Sequence, residues 1–172
     1  PVYLFNYNLA MRISLITLFL FLFAAGTTAQ AQSADSLLLR GHDMLERGVT
    51  SGDVDAMQQA RTLFERIANA SDDAIWAHYY VGLANYRIAT RFLGSDDDRA
   101  EALIDNGIDH LDAAIEIQPD LADAHALLST LYGLKARGGM FSGMRYGPRA
   151  NSAIKRAQQL APVNPRVLLL NA

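Results

Sequence analysis

ARTLFERI (60–67), GIDHLDAAIEIQP (107–119) and ANSAIKRAQQLAP (150–162) are three versions of one pattern. Each opens on a small residue: Ala60, Gly107, Ala150. A bulky apolar residue follows four positions on (Phe64, Leu111, Ile154), and Ile67, Ala114 or Ala157 comes three positions later. Residues three and four apart share one face of a helix. A face that mixes small and bulky side chains lets a neighbouring helix approach closely. Two copies close on a proline, Pro119 and Pro162, which cannot continue a helix. The spacing of forty-odd residues, with another amphipathic helix ahead of each copy, predicts an all-α chain built as a helical solenoid.

Working outward, the periodicity predicts helices over 34–47, 53–70, 71–92, 95–118, 120–136 and 148–160, and a seventh from 164 onward. Gly48 is the expected end of the first and Gly94 of the third. Ser71 is the expected cap of the third, with Asp72 and Asp73 favouring its positive end. Ser95 with Asp98 reads as a capping pair for the fourth. Pro148 fits the first turn of the sixth, where its missing N–H costs nothing. The stretch RGGMFSGMRYG (137–147), with four glycines, reads as a loop that lies on a groove or a partner. Val167 to Leu170 form an apolar run with no following helix to cover it, so the natural chain is expected to continue or this edge to dock on a partner.

The first residues carry a different signal. Residues 1–10 read as an upstream extension, with Met11 the expected translation start. Arg12 follows, then the apolar run 13–25 and Ala29-Gln30-Ala31. That order describes a cleavable signal peptide over 11–31. The alternative is a retained anchor, but the uninterrupted run is shorter than the roughly 20 residues a spanning helix needs. The mature chain, 32–172, is expected to be exported to the periplasm or the exterior. It meets the membrane only through the signal before cleavage.

Cysteine is absent, which excludes disulfides, thiolate metal sites and a cysteine nucleophile. Net charge is −3, yet 32–123 hold 18 acidic and 7 basic residues, and 124–172 hold 7 basic residues and no acid. A basic end can mark an anionic-surface site. Export argues against nucleic acid, which leaves anionic lipid, glycan or an acidic partner. The plainer alternative is that the basic end balances acidic repeats elsewhere. Arg145, Arg149, Lys155 and Arg156 are the candidate patch.

The residues just quoted resemble the tetratricopeptide repeat family over nearly all of the mature chain. Its 34-residue unit repeats small and aromatic positions in two helices and closes on proline. In that register Gly41, Gly82 and Ser129 hold the small position of successive first helices, and Phe64, Leu111 and Ile154 the bulky position of the second helices. Asp72 stands where proline is usual and Asn85 where an aromatic is usual. The units are also longer than the family norm, and other hairpin solenoids with units near 40 residues stay open. The resemblance implies a right-handed superhelical solenoid of helix-turn-helix repeats whose first helices line a concave groove. It implies that Trp76, Tyr79, Leu83, Tyr86 and Arg87, then Asp123, Ala126, Thr130, Gly133 and Leu134, face that groove. Aromatic rings and an arginine suit a peptide or protein partner; the alternative is that those rings pack against neighbouring helices. The family's carboxylate-binding set of Lys, Asn and Arg is matched only by Arg87.

Chemistry finds little purchase. His78 and His125 recur at one repeat position and are expected to approach each other as packing residues, since two histidines do not complete a metal site. Met140 and Met144 beside Phe141 could hold Cu(I), or simply fill a gap. Asp96, Asp97 and Asp98 lack the spacing of a calcium loop and suit a helix start. No G-x-S-x-G, phosphate-cradling loop or HExxH is present. The expectation is a non-enzymatic binding module without cofactor or metal. Two alternatives stay open: an envelope-assembly factor that contacts anionic glycan or lipid, and part of an enzyme whose chemistry lies beyond Ala172.

Overall fold

The computed structural model describes residues 34–164, and among these there is helix and turn but no strand. Contacts divide the chain between Leu37 and Leu38, and the account that follows concerns the unit that begins at Leu38. Six helices run in order: α1 (34–51), α2 (Val54–Ala68), α3 (Ile75–Ala89), α4 (Asp97–Ile117), α5 (Ala122–Ala136) and α6 (Met140–Leu160). The predicted all-α class is what the described residues adopt.

From α2 to α6 each helix packs on the next in chain order, and α3 also touches α5. α2, α4 and α6 keep one wet face. α3 and α5 are apolar on most sides because neighbours cover them on more than one flank. In α3 that burial takes in Ala77, Val81, Ala84, Ile88 and Ala89.

The quoted pattern works through close approach within each helix pair. A Cβ on Gly41 of α1 would lie 2.5 Å from Cε1 of Phe64 on α2, and one on Gly82 of α3 would lie 2.7 Å from Cγ of Leu111 on α4. In the third pair the Ser129 hydroxyl donates to the Ala150 carbonyl at 2.8 Å, another sign that the helices run close there. Phe64 and Leu111 are fully buried, each worth about 1.5–3 kcal/mol of transfer free energy.

Two main cores result. One joins α1, α2 and α3 through Leu45, Met57, Ala60, Phe64, Val81 and Ile88. The other joins α3 to α6 around Tyr79, Ile104, Leu111, Leu127, Leu128 and Leu131. Tyr80, Leu83 and Leu103 pack against both.

Helix ends differ from expectation in instructive ways. Gly48 does not stop α1. It is buried inside the helix, where a Cβ would press on Met57 at 2.9 Å, and the chain turns instead at Gly52, whose φ of +76° favours glycine. Asp53 caps α2 by accepting from the Ala56 N–H at 3.0 Å. Ser71 does not cap α3. Its hydroxyl donates to Asp73, and α3 starts four residues later from Ala74 with no side-chain cap. α3 stops at Ala89, and a series of turns carries the chain past Gly94. Asp96, not Ser95, caps α4 by accepting from the Arg99 N–H at 3.1 Å.

The largest correction is 137–147. Its helix begins at Met140, after Gly139 at φ +130°, and Pro148 sits in the helix interior. Proline there cannot donate to the Met144 carbonyl. Met144 itself is 72% exposed. Gly143, Gly147 and Pro148 stand inside the helix, their cost overridden by packing of the following turns on α5. The signal peptide, the extension before it and the run from Val167 to Leu170 lie outside the described residues. Among the described residues no helix is long and apolar enough to cross a membrane.

Candidate functional site

Two neighbourhoods stand at corresponding repeat positions, one where α2, α3 and α4 meet, the other a groove over α5 beside α6. The first is closed by polar side chains. Asn85 is fully buried, donates to the Asn106 side-chain oxygen at 2.7 Å, and accepts from the Arg61 guanidinium at 3.3 Å. A buried amide at an apolar-looking position costs about 1–3 kcal/mol unless bonded, and here both of its ends are. Arg61 also lies 3.7 Å from Glu65, too far for its buried Nε to gain a hydrogen bond.

In the same neighbourhood the His78 and His110 Nδ1 atoms sit 3.0 Å apart, ring centroids 5.1 Å. One nitrogen must donate and the other accept, so the pair holds one proton between them. Burial holds His78 below the usual imidazole range. Burial likewise lowers His110, with the adjacent His78 and Arg61 adding to it against the pull of Glu65 and Asp109. The expected approach of His78 to His125 is thereby corrected. His78 pairs with His110, and the His125 Nε2 lies 3.0 Å from the Pro119 carbonyl oxygen.

In the groove over α5 His125 and Tyr132 stand forty-seven residues after His78 and Asn85, and Arg149 and Ala153 forty-three after Asn106 and His110. Where His110 met His78, Ala153 offers only a methyl group. The groove is open, a cleft of about 660 Å³ lined by Leu128, Tyr132, Arg149, Ala153, Lys155 and Arg156, with His125, Ser152 and Gln159 also on its wall. Arg149 lies 5.9 Å from the centroids of both Tyr132 and Tyr146, whose rings stack at 6.2 Å. On α4, burial and the neighbouring Asp109 raise the Asp112 carboxyl, opposed by Arg149 and His125. Burial and Asp112 likewise raise the Tyr132 phenol, with Arg149 opposing.

A second hollow of about 400 Å³ lies by α4, α5 and the start of α6. There the Lys135 ammonium, nearly buried, bonds Asp105 and Glu101. Burial pulls its pKa down, but those two carboxylates outweigh it and the net shift is upward. Its charge is met within the chain.

The residues of the expected concave groove are divided. Trp76 is 44% exposed and stands edge-on to Tyr79 at 5.8 Å. Tyr79 is 5% exposed and belongs to the core. Leu83 and Tyr86 are half-buried against the core, and Arg87 lies over the Tyr86 ring at 5.5 Å. On α5, Asp123 accepts from the Asn164 side chain at 3.1 Å and Thr130 donates to the Ala126 carbonyl at 3.3 Å. Ala126 is fully buried, and Gly133 and Leu134 are half-buried. Of the candidate basic patch, Arg149, Lys155 and Arg156 meet in the cleft, while Arg145 lies over Tyr146 at 5.2 Å, outside its lining. Sequence reading missed Tyr132, Ser152 and Gln159 as cleft residues. The signal was the change from Asn85 to Tyr132 and from His110 to Ala153 at matching repeat positions.

Met140 and Met144 are both largely exposed. Among the described residues no cluster of His, Asp or Glu could hold a metal ion. No protein-family model, no curated protein and no solved structure matches this chain.

Proposed function

We propose that this chain is an exported helical-repeat module of the tetratricopeptide type, a right-handed stack of hairpins that binds a protein or peptide and catalyses nothing itself. One observation carries the reading. The same small-against-bulky contact recurs in successive hairpins, Gly41 on Phe64 and then Gly82 on Leu111. Recurrent docking of this kind builds stacks whose stability is a sum of neighbour contacts, and stacks present extended binding surfaces.

The partner face is the exposed side of α3. Trp76 offers a large ring, Tyr79 beneath holds it edge-on, and Tyr86 with Arg87 continues the surface. Rings held in place lose little freedom on binding, which is why Trp, Tyr and Arg dominate interface energetics. Export rests on the signal-like order of residues 11–31.

The test is crosslinking in the intact cell envelope, with wild type compared with Trp76→Ala/Tyr86→Ala. The double variant should lose its crosslinked partner by about tenfold or more, as expected when two aromatic anchors go, while its helical circular dichroism is unchanged. Unfolding of the variant would make those rings core and remove the groove. Export is checked by the mass of the mature chain, which should begin at Gln32.

A further inference from the structure

The cleft over α5 has no role in that reading of α3. Its walls combine three features. Arg149, Lys155 and Arg156 bring three cations to one opening. Leu128, Ala153 and the Tyr132 ring give it an apolar floor. Ser152 and Gln159 add neutral hydrogen-bonding groups. Among the described residues, the arginine and lysine ion pairs use cations of α1, α2 and α5: Arg47 with Asp43, Arg61 with Glu65, and Lys135 with Glu101 and Asp105. None uses Arg149, Lys155 or Arg156. Asp112 and Asp109 are the carboxylates of α4 whose charge reaches this neighbourhood, Asp112 being near enough to Arg149 to feel its charge. No acid stands anywhere from Ala124 onward. The matching neighbourhood at α3 is closed by its own Asn85–Asn106 and His78–His110 contacts. The replacement of His110 by Ala153 leaves this one open.

We propose that the α5–α6 cleft binds an acidic peptide segment of the partner, one that alternates carboxylate and apolar side chains. Carboxylates meet Arg149, Lys155 and Arg156 at the rim, and the apolar side chains settle on Leu128, Tyr132 and Ala153. A lipid headgroup or a glycan would use the cations and leave the apolar floor idle, so charge and floor together select a peptide. The inference rests on the binding-module reading and gives the partner its chemistry. It uses α5 positions other than those of the concave groove.

The probe is a fluorescein-labelled ten-residue peptide of alternating Glu and Leu, titrated with the full chain and followed by anisotropy. Binding should weaken steeply as salt rises from about 0.05 M to 0.5 M, because rim charges are screened. Arg149→Glu/Arg156→Glu should weaken it about tenfold or more, as for charge pairs at interfaces. Arg66→Glu, exposed on α2 and outside the lining, should change it less than about twofold, the effect expected of a distant exposed charge. Asp112→Asn should strengthen it by removing a competing carboxylate. An alternating Lys and Leu peptide should not bind.

Equal binding by poly-aspartate, by phosphatidylglycerol vesicles or by dextran sulfate would overturn the peptide assignment, since none of these needs the floor. Salt-sensitive self-association in sedimentation, abolished by the same double reversal, would overturn it in favour of a second copy of the chain. If the peptide fails to bind while the Trp76-dependent crosslink persists, only the cleft assignment falls. Loss of both removes the module reading as well.

Discussion

At Gly82 a single hydrogen in place of a side chain decides how near α3 and α4 come. Gly82→Ala gains helix propensity of about 0.5–1 kcal/mol but places a methyl group 2.7 Å from Leu111 Cγ and 3.3 Å from the Gly107 carbonyl oxygen. Overpacking typically costs about 1–3 kcal/mol, so the variant should be less stable than wild type in urea. Gly133→Ala in α5 gains the same propensity with open space around the new methyl group, and should be more stable by about 0.5–1 kcal/mol. The difference between the two midpoints measures the close approach alone. A neutral Gly82→Ala would mean that the pair can separate without loss. Asn85 makes a related point about chemistry rather than size. Its amide is buried because Arg61 and Asn106 meet both of its ends, which explains why an aromatic position can carry a polar residue.

On the scale of helices, the His78–His110 contact joins α3 to α4 and gives their pairing a pH dependence. Both imidazoles are held below the ordinary value of 6.5. Between that depressed value and 6.5 the unfolded chain binds more protons than the folded one. Stability is therefore whole above about 6.5 and falls as pH drops through 6.5 toward the folded value. Glu65 and Asp109 temper the effect on His110, and Arg61 deepens it. The Asp112 carboxyl, raised by burial, gives the opposite slope at lower pH. Urea midpoints from pH 7.5 to 5.5 should fall for wild type and stay flatter for His78→Gln, the change being of order 1 kcal/mol or less for half-exposed rings.

Much of this element-level structure was legible. Periodicity placed every helix among the described residues, because amphipathic spacing is a property of each segment alone. What local reading could not see was competition. The glycines of 137–147 argue for a loop, yet Gly143 and Gly147 lie inside α6, which gains more from packing against α5 than they lose. The His78–His110 pair joins residues thirty-two apart, and spacing cannot tell which of two later histidines a ring will meet. Tyr79 was read as a groove residue from its register, and its neighbours decided that it belongs to the core.

Taken as a molecule, the unit from Leu38 has one core confined to α1–α3 and another spanning α3–α6, bridged by Tyr80, Leu83 and Leu103. If stability is a sum of neighbour contacts, a chain ending at Pro119 should keep α1 to α4. Its loss of helical signal should match α5 and α6 alone, and its melting temperature should fall. Global unfolding of that shortened chain would point to a single indivisible core and count against the proposed stack.

Trp76 is the chain's one tryptophan, half in water on α3, with the Tyr79 ring 5.8 Å away. The protein thus carries its one indole on one surface and none on the other. A ligand that covers α3 will shift indole emission toward the blue. One lodged beside Arg149 will leave the colour of that light as it was.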